Sequence, residues 1–363
     1  MKRLTLRSST ALIGALIIAG CAPTINQDNL IRNRFELNGT AMRSWDEQML
    51  LNLVRMRYRD NPMFLELGNV VAYQSMRFVG SVGGGITLAP QYIGDASIGA
   101  SGEVVLAPTL TYSPLQGEEF AKRLLTPIPP ATIFLLSQSG WSFERLMLCC
   151  VQKINSVENA VAASGPTPEY VPEYEPFQRL SRALRALQIE RHLDIEMGPD
   201  GRSLVFSLLG TGRPHADSVA AAFKEMLGLD ASRDRFLVTE GRSASADDEI
   251  ALTGRSLLST MFFLSQSVEV PERHEQQGKV TVTKQADGKR FDWGAVTGKV
   301  MRIQSSNTEP QDAAVKVEYR DAWFYIADND LNSKTTFTLL SFLFNLQAAN
   351  KSGASPVLTY PVR

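Results

Sequence analysis

The chain is 363 residues long, with 37 Lys and Arg against 38 Asp and Glu, 44% hydrophobic and 21% charged residues. That balance excludes an intrinsically disordered chain and gives no basic footprint, so no nucleic-acid partner is expected. Three cysteines and three histidines exclude a disulfide framework and leave little material for a zinc site, and no cofactor is expected.

Residues 1–20 read as an export signal. Lys2, Arg3 and Arg7 form a basic head and residues 11–18 a short apolar run, well below the ~20 residues that span a bilayer. The run ends in Ile18-Ala19-Gly20-Cys21, followed by Ala22-Pro23-Thr24. This stretch resembles the lipobox of bacterial lipoproteins. The resemblance implies a cut between Gly20 and Cys21, acyl chains on Cys21 and, with Ala rather than Asp at position 22, sorting to the outer membrane. Two or more chains, at ~0.8 kcal/mol per buried CH₂, anchor stably where one holds only marginally. Loss of Lys2, Arg3 and Arg7 leaves 34 basic against 38 acidic side chains. No other stretch reaches the ~18 consecutive apolar residues of a membrane helix. The lipid is therefore the expected anchor and the periplasm the expected home of the body. Residues 21–43, rich in Asn, Gln and Thr, read as a lipidated tether.

Ser44 and Glu47 have the spacing of a capping box, and Met49, Leu50, Leu53 and Val54 follow at helical spacing up to the stop at Asp60-Asn61-Pro62. Arg55, Arg57 and Arg59 crowd the end of this helix, where they read as solvated charges opposing its dipole, the alternative being contact with lipid headgroups or an acidic partner. Residues 69–113 switch to period two. Val70, Ala72, Met76, Phe78, Val82 and Ile86 alternate with Asn69, Ser75, Arg77 and Ser81. After a break from Gly83 to Asp95, Ile98, Ala100, Val104, Leu106, Leu110 and Tyr112 alternate with Ser97, Ser101, Glu103, Thr109 and Thr111. This predicts a long amphipathic β-hairpin. Two readings are open. Its apolar face covers the protein's own helices, or Val70, Met76, Phe78, Val82, Ile98, Val104, Leu106, Leu110 and Tyr112 meet lipid or neighbouring subunits in a shared barrel. The second demands a ring, because unpaired edges are not tolerated in lipid. Sparse aromatic residues weigh against it.

Short helices are expected at 114–125, 131–138 and 143–154, then a Pro-rich linker at 162–176. Phe177, Leu180, Leu184 and Leu187 predict an amphipathic helix with Arg179, Arg182 and Arg185 outward. Hairpins are expected at 192–208 and 315–326, helices at 216–227 and 255–266, and strands at 235–239, 279–283 and 298–304. A last helix is expected from a Ser333 cap through Phe337, Leu340, Leu343, Phe344 and Leu346, before a tail at 350–363. The fold class is α+β: a helix, long hairpin and helical cluster over 44–161, then helices and antiparallel hairpins over 177–349.

No nucleophile elbow is present, since Gly241-Arg242-Ser243-Ala244-Ser245 and Gly254-Arg255-Ser256 lack the closing glycine. Gly83-Gly84-Gly85 precedes no Lys-Ser/Thr pair, and Gly210-Thr211-Gly212 opens no dinucleotide loop. Asp328-Asn329-Asp330 begins like a calcium loop but has Ser333 and Leu339 where glycine and an acid are needed. His192, His215 and His274 stand alone, and Cys149-Cys150 on one helix point about 100° apart and read as buried hydrophobes. The expectation is a non-enzymatic, lipid-anchored scaffold or partner-binding subunit at the outer membrane, with an envelope protein as partner. The alternative is a homo-oligomeric outer-membrane pore or export-channel subunit; a hydrolase with dispersed residues is a third. Arg57-Tyr58-Arg59-Asp60-Asn61-Pro62, residues 112–119 and Trp323-Phe324-Tyr325-Ile326 are similar to segments of bacterial outer-membrane lipoproteins of no assigned activity.

Overall fold

The computed structural model describes residues 27–83, 97–198, 204–210, 212–241 and 243–348. Gly20 and Cys21 lie outside them. The chain divides into two compact units, Met1–Trp45 with Asn69–Thr111, and Asp46–Gly68 with Tyr112–Arg363.

Helix α1 runs from Gln27 to Arg57, so residues 27–43 are helical and Ser44 lies inside the helix rather than at its start. Leu, Arg, Glu and Met favour this conformation, and Gly39 is the one strong breaker among them. The Thr40 hydroxyl spends its hydrogen on the Glu36 carbonyl at 2.9 Å, so it does not compete with the helix. Strands β1 (Leu65–Gly83) and β2 (Ser97–Pro114) follow. They pair with each other and, among the described residues, with no other strand. Val70, Met76, Phe78 and Val82 fall on β1, and Ile98, Val104, Leu106, Leu110 and Tyr112 on β2; their side chains lie outside what is described.

The second unit is α+β. Its helices begin with α2 (Glu118–Leu125), α3 (Pro130–Gln138) and α4 (Phe143–Cys150). Then come β3 (Val151–Ile154), β4 (Val157–Glu158), α5 (Glu175–Ile189), β5 (Leu193–Met197), β6 (Leu204–Leu208) and α6 (Pro214–Leu227). Strands β7 (Arg235–Glu240) and β8 (Glu249–Gly254) complete a six-stranded sheet of order β4-β3-β8-β7-β6-β5. Helix α4 packs on α5 and α5 on α6. Their apolar faces (Leu146, Phe177, Leu184, Phe223) and the sheet's Phe206, Phe236 and Val238 are buried. After α7 (Leu257–Ser265), α8 (Glu272–Gln276) and α9 (Gly294–Thr297), the antiparallel sheet β10-β11-β9 forms from β9 (Gln304–Ser306), β10 (Ala313–Tyr319) and β11 (Ala322–Ala327). Helix α10 (Leu331–Ala348) is the last element.

Several expectations change. Strands β7 and β8 pair in parallel, so the sheet is mixed rather than built of antiparallel hairpins alone. The Pro-rich 162–176 stretch divides no domains. The sheet joins β3 to β8 across it, and Thr167 within it is buried. The helix expected over 143–154 ends at Cys150, where Arg255 N–H takes the Cys150 carbonyl at 2.7 Å. Val151 and Ile154, three apart, suit a helix as well as a short buried strand, which is the ambiguity of a short apolar run. Residues 279–283 and 298–303 form no strand; the chain there touches others through single bridges such as Val268–Ile303 and Lys284–Arg290. The cap of α10 is Asp330, not Ser333: Asp330 Oδ1 accepts Ser333 N–H at 2.9 Å and its backbone carbonyl accepts Lys334 N–H at 3.0 Å. Phe337, Leu340, Leu343 and Phe344 on this helix are buried, whereas Leu346 is exposed.

Candidate functional site

The end of α1 is tied into the second unit. Buried Asn52 donates from Nδ2 to Met63 O at 2.7 Å and accepts Met63 N–H at 2.9 Å, which fixes the path from the helix into β1. Arg59 takes a left-handed conformation (φ 60°) and Asp60 N–H closes on Arg55 O at 2.9 Å, a helix-ending turn usually built on glycine.

Arg57, expected in solvent, is buried at 4% exposure. Both of its hydrogen bonds leave from Nη1, to Thr167 Oγ1 at 3.1 Å and Thr281 O at 3.2 Å. Its Nε is buried with no acceptor among the described residues. Burial pulls the guanidinium down to about 10, partly opposed by the charge of Glu275, and leaves it a cation at neutral pH. Arg57 lines a cleft of about 590 Å³ formed by the end of α7 (Gln266), residues 267–269, residues 282–293, α9 and residues 298–302. Trp293 is held there by its indole N–H on Thr283 Oγ1 at 3.1 Å, and Thr283 in turn donates to Pro168 O at 2.6 Å. At the cleft, Arg290 meets Glu275 at 2.9 Å and Arg302 meets Glu269.

One residue along, Tyr58 anchors a second network. Its hydroxyl donates to His274 Nδ1 at 2.6 Å, which leaves the proton on Nε2 to face Asp321 Oδ1 at 3.2 Å. His274 is 0% exposed. Asp321 reaches it because Arg320 and Asp321 form the two-residue turn between β10 and β11, both left-handed at φ 49° and 64°. Arg320 in turn donates to Asp60 Oδ2 at 2.7 Å. A tyrosine, histidine and aspartate in line resemble a proton relay, but both ring nitrogens are engaged and the Tyr58 hydroxyl is closed on the imidazole, so the network works as a clamp.

The imidazole's affinity for protons is lowered, chiefly by burial and also by the charge of Lys279, against an upward pull from Asp321. As pH falls below the ordinary histidine value of about 6.5, the unfolded chain takes up this proton before the folded one, so stability falls with it. Urea midpoints at pH 7.5 and 5.5 are expected to show a decline that His274→Gln reduces; equal declines in both proteins would contradict the assignment.

A second cavity of about 610 Å³ is lined by His192, Asp217, Lys224 and Asp234. Its one lysine among the described residues is paired: Lys224 Nζ donates to Asp234 Oδ1 at 2.9 Å and Ala231 O at 3.1 Å, and His192 lies 3.6 Å from Asp217. His215 stands apart at the surface, 2.9 Å from Glu190. Cys149 and Cys150 are free and buried, and burial pushes the Cys149 thiol up to about 12. Among the described residues no group of His, Cys, Asp and Glu is placed to hold a metal ion.

The sequence reading places Arg57 in solvent, yet the signal for its burial is present. Positions 50, 53, 54 and 57 recur at i, i+3, i+4 and i+7, which puts Arg57 on the same face as Leu50, Leu53 and Val54. No family model, curated protein or solved structure matches the chain.

Proposed function

We propose that the chain is a lipid-anchored protein of the bacterial outer membrane, held by acylated Cys21, whose body is a non-enzymatic scaffold or partner-binding subunit in the periplasm. The address rests on the lipobox-like Ile18-Ala19-Gly20-Cys21 at the end of a short basic and apolar leader. Among the described residues no helix is long and apolar enough to cross a membrane, which says nothing of a β-barrel.

The partner-binding part of the reading is carried by the β1–β2 pair. Its strands are 19 and 18 residues long and, among the described residues, pair only with each other. An isolated two-stranded sheet is marginal in water, and each of its outer edges is a row of unpaired backbone groups. Such an element gains stability from a partner that covers it.

The same observation favours a second reading, in which copies of the chain supply these strands to an oligomeric outer-membrane pore or export channel. Strands of ~9–11 residues cross a membrane when tilted, and these exceed that. The two readings separate by assembly mass in nonionic detergent, measured on the full chain and on a variant with residues 69–111 replaced by a short turn. Leu115 N–H donates to Phe64 O at 2.9 Å, so the body holds the cut ends together. A monomer or dimer supports the first reading. A large ring that collapses in the shortened variant overturns it in favour of the second.

A further inference from the structure

Among the described residues two arginines are deeply buried with no carboxylate on either guanidinium, and they differ in one respect. Arg255 spends all three nitrogens: Nε on Ser164 Oγ at 3.0 Å, Nη1 on Leu148 O at 2.7 Å and Cys149 O at 3.3 Å, and Nη2 on Asn159 O. Its face lies on the Phe263 ring, 3.9 Å from the centroid. That is a structural arginine, sealed on every side. Among the described residues Arg57 uses two of the five donors a guanidinium carries, leaves its buried Nε without an acceptor, and borders a cleft. A buried cation in this condition carries a desolvation cost that two hydrogen bonds and the charge of Glu275 offset only in part.

The rest of the cleft defines what would offset it. Among the described residues, four cations (Arg57, Arg290, Lys299, Arg302) and three carboxylates (Glu269, Glu275, Asp292) line it. Arg290 and Arg302 are neutralised by Glu275 and Glu269, and Asp292 Oδ1 accepts the Gly294 N–H at 2.8 Å. One positive charge remains in excess. Trp293, Phe291 and Met301 supply apolar wall, and the volume suits a small molecule rather than a polymer. The second cavity, of similar size, shows no such imbalance at its Lys224.

We propose that the Arg57 cleft is a binding site for a small organic oxyanion, a carboxylate or phosphate accepted by the unused donors of Arg57 with its apolar part against Trp293. A guanidinium matches such oxygens two at a time, which an ammonium does not. The site is independent of the lipid anchor and of the β1–β2 pair.

The test is calorimetric titration of the full chain in nonionic detergent with benzoate and with inorganic phosphate, with neutral benzamide as control. At least one oxyanion binds saturably and raises the melting temperature, and benzamide does neither. Arg57→Lys weakens that binding by about tenfold or more, because the charge stays but the paired donors go. Lys299→Glu, at an exposed position that leaves the fold alone, weakens it several-fold by reversing a charge at the cleft. Absence of saturable binding by both oxyanions overturns the proposal. So does equal affinity in the wild type and the Lys299→Glu protein, even if Arg57→Lys fails to fold.

Discussion

Replacing Arg255 by methionine is expected to cost about 3–5 kcal/mol of stability, although the substitution removes a cation at 0% exposure. Burial pulls this guanidinium down to about 9, and replacing a whole buried ion pair with apolar groups is often neutral. Here the partners are three backbone carbonyls and the Ser164 hydroxyl, and they stay when the arginine goes. Leu148 O and Cys149 O lie in the last turn of α4, at the negative end of its dipole, where Arg255 serves as their cap. Each buried carbonyl left without a donor costs about 1–3 kcal/mol. The sum is not simple, since Leu148 O also accepts Asn159 Nδ2 at 3.0 Å and Cys149 O accepts Thr260 Oγ1 at 3.4 Å. Arg255→Lys keeps the charge but not the spread of donors, and falls between. Urea unfolding followed by near-ultraviolet circular dichroism measures both, and a loss below about 1 kcal/mol for Arg255→Met would contradict this role.

Gly254→Ala is the second substitution with a large expected effect, of about 3 kcal/mol or more. A Cβ at this position meets Ile128 O at 2.2 Å and Ile128 C at 3.2 Å. Neither side can yield. Ile128 N–H donates to Arg255 O at 2.9 Å, Pro127 bridges Ser256, and Gly254 itself ends a strand of the six-stranded sheet. The reason for glycine is therefore close backbone approach, with no requirement for positive φ. Gly165 offers the contrast, with nothing within 4 Å of its Cβ position and φ at −137°. Gly165→Ala is expected to be neutral or to stabilise by a few tenths of a kcal/mol through the unfolded chain. Similar midpoints for the two alanine variants would show that Ile128 moves aside at little cost.

Gly254-Arg255-Ser256, scanned in the sequence for a catalytic elbow, is thus a structural junction. Glycine admits the Ile128 backbone, arginine caps α4, and Ser256 Oγ accepts Ser259 N–H at 3.1 Å to cap α7. For glycine and arginine the neighbours in the sequence do not announce this, because the groups these two residues serve come from residues 128–164. The same separation hid the Tyr58–His274–Asp321 clamp, whose members lie 216 and 47 residues apart. What was legible was local. The β10–β11 hairpin, α5 with Arg179 and Arg182 outward, and α6 ending at left-handed Gly228 follow from periodicity and turn chemistry alone. Prolines at 166–176 read as a linker because proline marks irregular backbone, and irregular backbone packs inside a domain when its polar groups find partners, as Thr167 does with Arg57 and Gln266. The parallel partnership of β7 and β8 left no local mark, since parallel pairing is set by the connection rather than by either strand.

The two halves of the functional account place different demands on Cys21. An acyl anchor holding a body that is itself soluble makes membrane residence depend on that one residue. Strands that find their core in lipid do not. The direct measurement is the partition of the Cys21→Ser chain, expressed with its leader in a Gram-negative host, between the periplasmic and outer-membrane fractions. Release into the periplasm, with the unaltered chain retained in the outer membrane, is the result predicted for a lipid-anchored binding subunit. Retention of the Cys21→Ser chain in the outer membrane, resistant to salt and extracted only by detergent, would contradict it and identify the β1–β2 pair as the membrane-embedded element.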